Sequence, residues 1–261
     1  KGSRTIVRDR LAMNDELILG NLVELTKELC GSRIRRCGPF QIVSNATCFW
    51  PNIVVPSCSD EIQLSEIEDV LESSSVDWNE TQLVLPRWKL ASETISRLID
   101  VGAYPVAEWC NMSLDPQSWH ATSPSVDAPF RLAEIKETNV EEWATAVSTS
   151  MFGGRTFDLK GVIRLARDAK GTMLGAFDKE RIVGTCLLFF GESAGLYFIT
   201  TDASYRRQGI AFWLVEHAAT LARQNGCAHV VLHATSQGKG VYSRIGFKTH
   251  CSLLVLRSVR K

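Results

Sequence analysis

Apolar positions change their spacing along the chain, and the changes mark out its elements. Leu17, Ile18, Leu22, Leu25 and Leu29 recur at intervals of three and four residues, the period of one helix face. The spacing predicts a helix over residues 14–30, capped by Asn14 or Asp15 and stopped at Gly31. Short β-branched and aromatic runs at 40–43, 46–50 and 52–55, broken by Pro51 and Pro56, predict strands. Ser65-Glu66-Ile67-Glu68 has the spacing of a capping box before a short helix through Leu71. Gln82–Leu85 and Pro105–Met112 predict strands, and 92–101 predicts a helix ended by Gly102.

Residues 113–129 interrupt this patterning. Pro116, Pro124 and Pro129, set among Ser and Asp, exclude a continuous helix or strand. A domain boundary is placed here, giving an N-terminal α/β unit over 1–120 and a second unit over 121–261. The second half reads more regularly. Strands are predicted at Phe130–Ile135, Met173–Phe177, Ile182–Phe190, Leu196–Thr201, His229–Ala234 and Cys251–Leu256. Helices are predicted at 139–150, from a cap at Asp158 towards Gly171, at 209–224 (with Leu214, Ala218 and Leu221 in register) and at 238–245. Two hairpins followed by a strand–helix–strand unit imply an α/β fold of the α+β kind, with a mixed, mostly antiparallel sheet and flanking helices.

Composition narrows the class. The chain has 261 residues, 45% of them hydrophobic, enough for a sizeable core. Lys+Arg and Asp+Glu are both 29, so no overall basic field points to nucleic acid or to an anionic membrane. No apolar run reaches the ~18 residues of a membrane span. The eight cysteines (30, 37, 48, 58, 110, 186, 227 and 251) form no CxxC or CxH pair. The reading is reduced thiols in a cytoplasmic protein, with no metal site. Arg33, Arg35 and Arg36 read as a solvated basic face. Trp143 and Phe152 fall either in the core or on a ligand-facing side.

The chemistry concentrates after the strand at 196–201. Arg206-Arg207-Gln208-Gly209-Ile210-Ala211 forms a glycine-containing turn at a helix start. Unpaired N–H groups and the helix dipole favour an anion there. Two arginines, unfavourable at that end of a dipole by themselves, suit a pyrophosphate.

This turn resembles the acetyl-CoA signature of the GCN5-related N-acetyltransferases (GNAT), Gln/Arg-x-x-Gly-x-Gly/Ala, which Arg206, Gly209 and Ala211 fit. Val241-Tyr242-Ser243-Arg244-Ile245-Gly246-Phe247 resembles the family's later Tyr-x-x-x-Gly-Phe segment. The two lie in the family's order, one helix and one strand apart, and the resemblance spans about residues 130–256. The first half is compatible with a degenerate copy of the same fold that lacks a cradle.

The resemblance implies an acyl-CoA N-acyltransferase fold with a splayed parallel strand pair. The implied activity is transfer of an acetyl group from acetyl-CoA to a primary amine, small molecule or protein, by direct attack in a ternary complex. Neither a metal nor a covalent enzyme intermediate is implied. Residues Arg206, Arg207, Gln208, Gly209, Ile210 and Ala211 would hold the pyrophosphate. Ile199, Thr200 and Thr201 would pair with the pantetheine arm. Tyr242 would protonate the departing thiolate. Thr235 stands where many members keep Asn, and Gly238 where Ala is more usual. Gly195 stands where some members keep a catalytic Glu, so the base is open among Glu192, Tyr197 and His233. Glu192 also reads as a solvated turn residue and His233 as a packed strand residue. The missing Glu leaves a second reading, a CoA-binding regulatory or scaffold protein without catalysis. A third reading is an unrelated nucleotide binder.

Overall fold

The computed structural model describes residues 2–30, 34–45, 48–57, 60–121 and 130–258, with side chains from Asp15 onward. Helix α1 (Gly2–Cys30) extends well before the predicted start. Asp15 is therefore a mid-helix residue and not a cap. The Asn14 side chain and the predicted stop at Gly31 lie outside the described residues.

The first half continues with β1 (Ile34–Cys37), β2 (Phe40–Val43), β3 (Ile53–Pro56), α2 (Leu64–Glu72), β4 (Gln82–Pro86), α3 (Ser92–Arg97) and β5 (Ala103–Leu114). The strand predicted at 46–50 does not form over 48–50, and residues 46 and 47 lie outside the described ones. Trp50 makes only a single bridge to Phe157. Helix α2 begins earlier than the Ser65 capping box predicts. Glu66 instead accepts from the Gln63 N–H at 2.8 Å, because the box belongs to the residue before Leu64. Arg35 and Arg36 are exposed on β1, an edge strand whose charges discourage further pairing.

The second half comprises β6 (Arg131–Glu134), α4 (Val140–Phe152), α5 (Leu159–Arg167), β7 (Gly171–Asp178), β8 (Arg181–Phe190), β9 (Ala194–Thr201), α6 (Ile210–Gln224), β10 (Val230–Ala234), α7 (Lys239–Ile245) and β11 (Lys248–Ser258). Asp158 caps α5 as predicted, accepting from Gly161 N–H at 2.9 Å. Cys37, Cys110, Cys186, Cys227 and Cys251 are free thiols, and Cys58 lies outside the described residues. No described helix is long and apolar enough to cross a membrane.

All the described strands join one mixed sheet in the order β1-β2-β3-β4-β11-β5-β10-β9-β8-β7-β6. Only β3/β4 and β9/β10 are parallel, each pair linked by a crossover helix, α2 or α6. The series β1-β2-β3-α2-β4-α3-β5 thus repeats as β7-β8-β9-α6-β10-α7-β11. The last strand of each series is exchanged: β5 pairs with β10, β11 pairs with β4, and the two exchanged strands pair with each other.

Alternation along the strands builds a core on each face. Leu174, Ala176, Cys186, Leu188, Leu196 and Leu232 pack under α6 and α7. Met173, Leu187, Phe189 and Phe198 pack on the opposite face with α4, α5 and the end of α1. Trp143 is fully buried there, its Nε1–H donating to Leu174 O at 2.9 Å, so it is a core residue. Helix α1 lies across β5, β9, β10 and β11 on this same face.

Candidate active site

The two parallel strands of the second half stay paired for three residues only, Ala194–Leu196 against Val230–Leu232. Beyond them β10 remains with β5 as far as Ala234 opposite Cys110, while β9 follows β8. The β8/β9 register shifts between Thr185 and Leu187, and Phe198 takes a positive φ of 50°. This bulge bends β9 away from β10. It is held by packing: the Phe198 ring lies 5.0 Å from Phe157 and 5.1 Å from Trp50. The gap opens at Tyr197 and His233. From there to Thr201, one edge of β9 has no strand beside it among the described residues.

The gap leads to the turn at 206–211. Thr201 ends β9, and Asp202 caps the next turn by accepting from Ser204 N–H at 2.9 Å. Arg181 reaches Asp202 at 2.7 Å, and the Tyr205 hydroxyl donates to Asp178 at 2.7 Å. These bonds fix the turn to the β7–β8 hairpin. Arg207 and Gly209 then take left-handed backbone, φ 65° and 84°, and Gly209 is the N-cap of α6. No backbone N–H from Arg206 to Phe212 donates to a described residue. The first such bond is Trp213 N–H to Gly209 O at 3.1 Å. Arg206 and Arg207 are exposed and form no ion pair among the described residues. A pyrophosphate fits this set: successive free donors, a helix N-terminus and two unmatched cations.

Ile199 is half-buried and packs against the core under α6 and α7, Thr201 is half-buried, and Thr200 is buried toward the other face with its Oγ1 2.6 Å from Thr185 Oγ1. Tyr242 of α7 is buried, and burial, with Cys186 nearby, pushes its phenol well above the usual range. It therefore stays protonated at neutral pH. A Cβ at Gly238 would lie 2.9 Å from Tyr242 Cε2 and 3.3 Å from its hydroxyl, so glycine there leaves room for the ring. Thr235 lies just past β10 and caps the turn into α7, with Oγ1 3.3 Å from Gly238 N.

The opposite face of the gap carries Tyr197 and His233, two of the three candidate bases, and is roofed by α1. Tyr197 donates to Asn21 Oδ1 at 2.7 Å. Burial and the nearby Glu24 raise its pKa well above the usual range, so it is a fixed donor. Glu192 is exposed in the turn before β9, at the end remote from the cradle, and its N–H meets Glu24 at 3.3 Å. His233 Nδ1 lies 3.0 Å from Asn111 Oδ1, and its Nε2 is buried without a partner among the described residues. Burial lowers its pKa to about 4, leaving the ring neutral at pH 7. Asn111 Nδ2 donates in turn to Asp15 at 2.8 Å.

Asp15, Asn21 and Asn111 are the residues that sequence reasoning missed. They lie far from the motifs in the chain and carry no local signature. Asn21 also explains Gly195: its Oδ1 stands where a Cβ on residue 195 would be.

Residues 133–247 match the acetyltransferase (GNAT) family. That segment is similar to the domains of a family that uses acetyl-CoA as donor. Among solved structures, the chain is similar to a GCN5-related N-acetyltransferase from Kribbella flavida, with TM-score 0.69, 14% identity, and 92% and 95% of the two chains covered. It is similar also to a Drosophila protein, with TM-score 0.63, 12% identity and coverage of 96% and 95%. A functionally unknown conserved protein from Staphylococcus epidermidis gives TM-score 0.62, 12% identity and coverage of 88% and 95%. No curated protein matches the sequence. The fold is the GNAT acyl-CoA N-acyltransferase fold, as the resemblance implies.

Proposed function

We propose that this chain transfers the acetyl group of acetyl-CoA to a primary amine by direct attack in a ternary complex. The observation that carries the reading is the run of seven undonated N–H groups from Arg206 to Phe212. It lies at the end of a strand whose outer edge is open. Acetyl-CoA supplies an activated thioester. Arg206, Arg207 and the N–H groups through Ala211 bind its pyrophosphate, and the free edge at Ile199–Thr201 orients the arm as an added strand would. A β9 backbone N–H at the gap polarises the carbonyl oxygen. Tyr242, kept protonated by burial, donates to the departing sulfur. Thr235 remains available at the mouth of the gap through its hydroxyl. The first half is a degenerate repeat of the same fold: its strand–helix order is repeated, and no cradle motif follows β3.

The test is calorimetric binding of acetyl-CoA with CoA, ATP and NAD as competitors, followed by release of CoA thiol across a panel of amines. Competition by CoA alone and amine-dependent release are expected. Displacement by ATP or NAD would reject the donor assignment. One observation favours the second reading, a CoA-binding protein without catalysis: Asn21 fills the space above Gly195 where some members carry Glu. Tight CoA binding with no amine-dependent release would establish that reading.

A further inference from the structure

We infer that Asp15 and Asn111 position His233 as the proton acceptor of the transfer, which makes helix α1 of the first half part of the catalytic apparatus. The inference rests on the acetyltransferase reading above. Its starting point is the Asp15 carboxylate, only 4% exposed beneath the middle of α1. The groups bonded to it are N–H donors. Cys251 N–H approaches its two oxygens at 3.1 and 3.3 Å, at the bulge of β11 where the ladder lapses, and Asn111 Nδ2 approaches at 2.8 Å. An amide oxygen turned toward that carboxylate would meet acceptor with acceptor. Asn111 is thereby held with its nitrogen to Asp15 and its oxygen away.

That oxygen lies 3.0 Å from His233 Nδ1. Two acceptors cannot share the contact, so Nδ1 must carry the hydrogen. In a neutral imidazole Nε2 is then the lone-pair nitrogen. Nε2 is the atom without a partner among the described residues, buried, on the first β10 residue beyond the last pair with β9. The chain of bonds thus sets a single tautomer and leaves its acceptor free at the opening of the gap. Tyr197, on the facing strand, is committed as a donor to Asn21 and does not compete. Glu192 stands at the far end of β9.

In the step this serves, a neutral amine nitrogen forms a bond to the thioester carbonyl carbon. The proton it must lose passes to His233 Nε2. The carbon–sulfur bond breaks with its electron pair on sulfur, which takes the Tyr242 proton. The products are the amide and the CoA thiol. His233 then releases its proton to solvent, and Tyr242 regains one.

The decisive measurement is the tautomer of His233 in the unmodified protein, read from the long-range proton–nitrogen spectrum of ¹⁵N-histidine-labelled material at neutral pH and assigned with His233→Gln. The Nδ1–H form is expected; an Nε2–H signal would overturn the inference whatever the enzyme's activity. Asp15→Asn, which can donate as well as accept, and Asn111→Leu should each introduce the other tautomer. Each should lower kcat by about ten- to a hundredfold, with KM for acetyl-CoA within about twofold. Unchanged kcat in folded variants that have lost the tautomer would also overturn it. If no amine panel supports transfer, the function proposed above falls, and the catalytic role falls with it, whereas the Nδ1–H tautomer would still be seen.

Discussion

Gly195→Ala tests whether the docking of α1 dictates glycine on β9. Gly195 pairs with Phe189 on one side and with Val231 on the other, so its backbone has little room to move. An added Cβ would overlap Asn21 Oδ1 and would stand 2.9 Å from Asn21 Cγ and 2.5 Å from Tyr197 Cε2. Asn21 must leave, and two buried hydrogen bonds go with it: Nδ2 to Ser193 O at 2.7 Å and Tyr197 to Oδ1 at 2.7 Å. Each is worth about 1 kcal/mol, and forcing a methyl into a packed site adds about 1–3 kcal/mol. The expected loss is therefore about 3–5 kcal/mol, read as a lower urea midpoint at constant slope. Asn21→Ala removes the obstructing atoms. The double variant should consequently be more stable than the sum of the two single losses by at least about 1 kcal/mol. A Gly195→Ala protein within about 0.5 kcal/mol of the parent, or a strictly additive cycle, would refute the reasoning.

Three further outcomes are expected. Tyr242→Phe should lower kcat about a hundredfold and leave the acetyl-CoA dissociation constant within about twofold, measured by stopped-flow turnover and calorimetry. Arg206→Ala and Arg207→Ala should each weaken CoA binding about tenfold and flatten its dependence on salt, with no change in melting temperature. His233 titrates at about 4 in the folded chain against about 6.5 unfolded. Because the unfolded state binds the proton first, stability should fall as pH drops below about 6.5, with the loss complete near 4. At about 1.4 kcal/mol per pH unit the loss approaches 3.5 kcal/mol. Denaturant midpoints across this range should lose that component in His233→Gln; Asp15 on α1, Tyr197 on β9 and His250 beside Asp15 on β11 are the titratable neighbours whose own response the comparison subtracts.

The cradle was legible because it is local. A glycine in left-handed backbone, two arginines and the apolar register of α6 all sit within a few residues of one another, and sequence spacing reports such features directly. The strands of the second half were legible for the same reason. Strand β1 was not, because Arg35 and Arg36 read as a solvated face, and an exposed edge strand is a solvated face. Gly195 could be identified as a departure from the family pattern, but its cause is Asn21 on α1, which no spacing connects to it. Asp15, with Asn14, reads as a candidate cap because a polar side chain near a predicted helix start is usually one. Its true partners, Asn111 and Cys251, are set by which strands the sheet brings beneath α1.

The exchange of β5 and β11 constrains how the chain can be assembled. Strand β11 fills the space between β4 and β5, so the first series cannot complete its sheet until residues 248–258 have been synthesised. Until then β4 and β5 present unpaired edges, the kind of surface that invites association with other chains. Pairings of such long sequence separation also slow folding. Cutting between residues 121 and 130 should therefore yield two fragments that each lack a strand and recover structure only when mixed, each lending its last strand to the other.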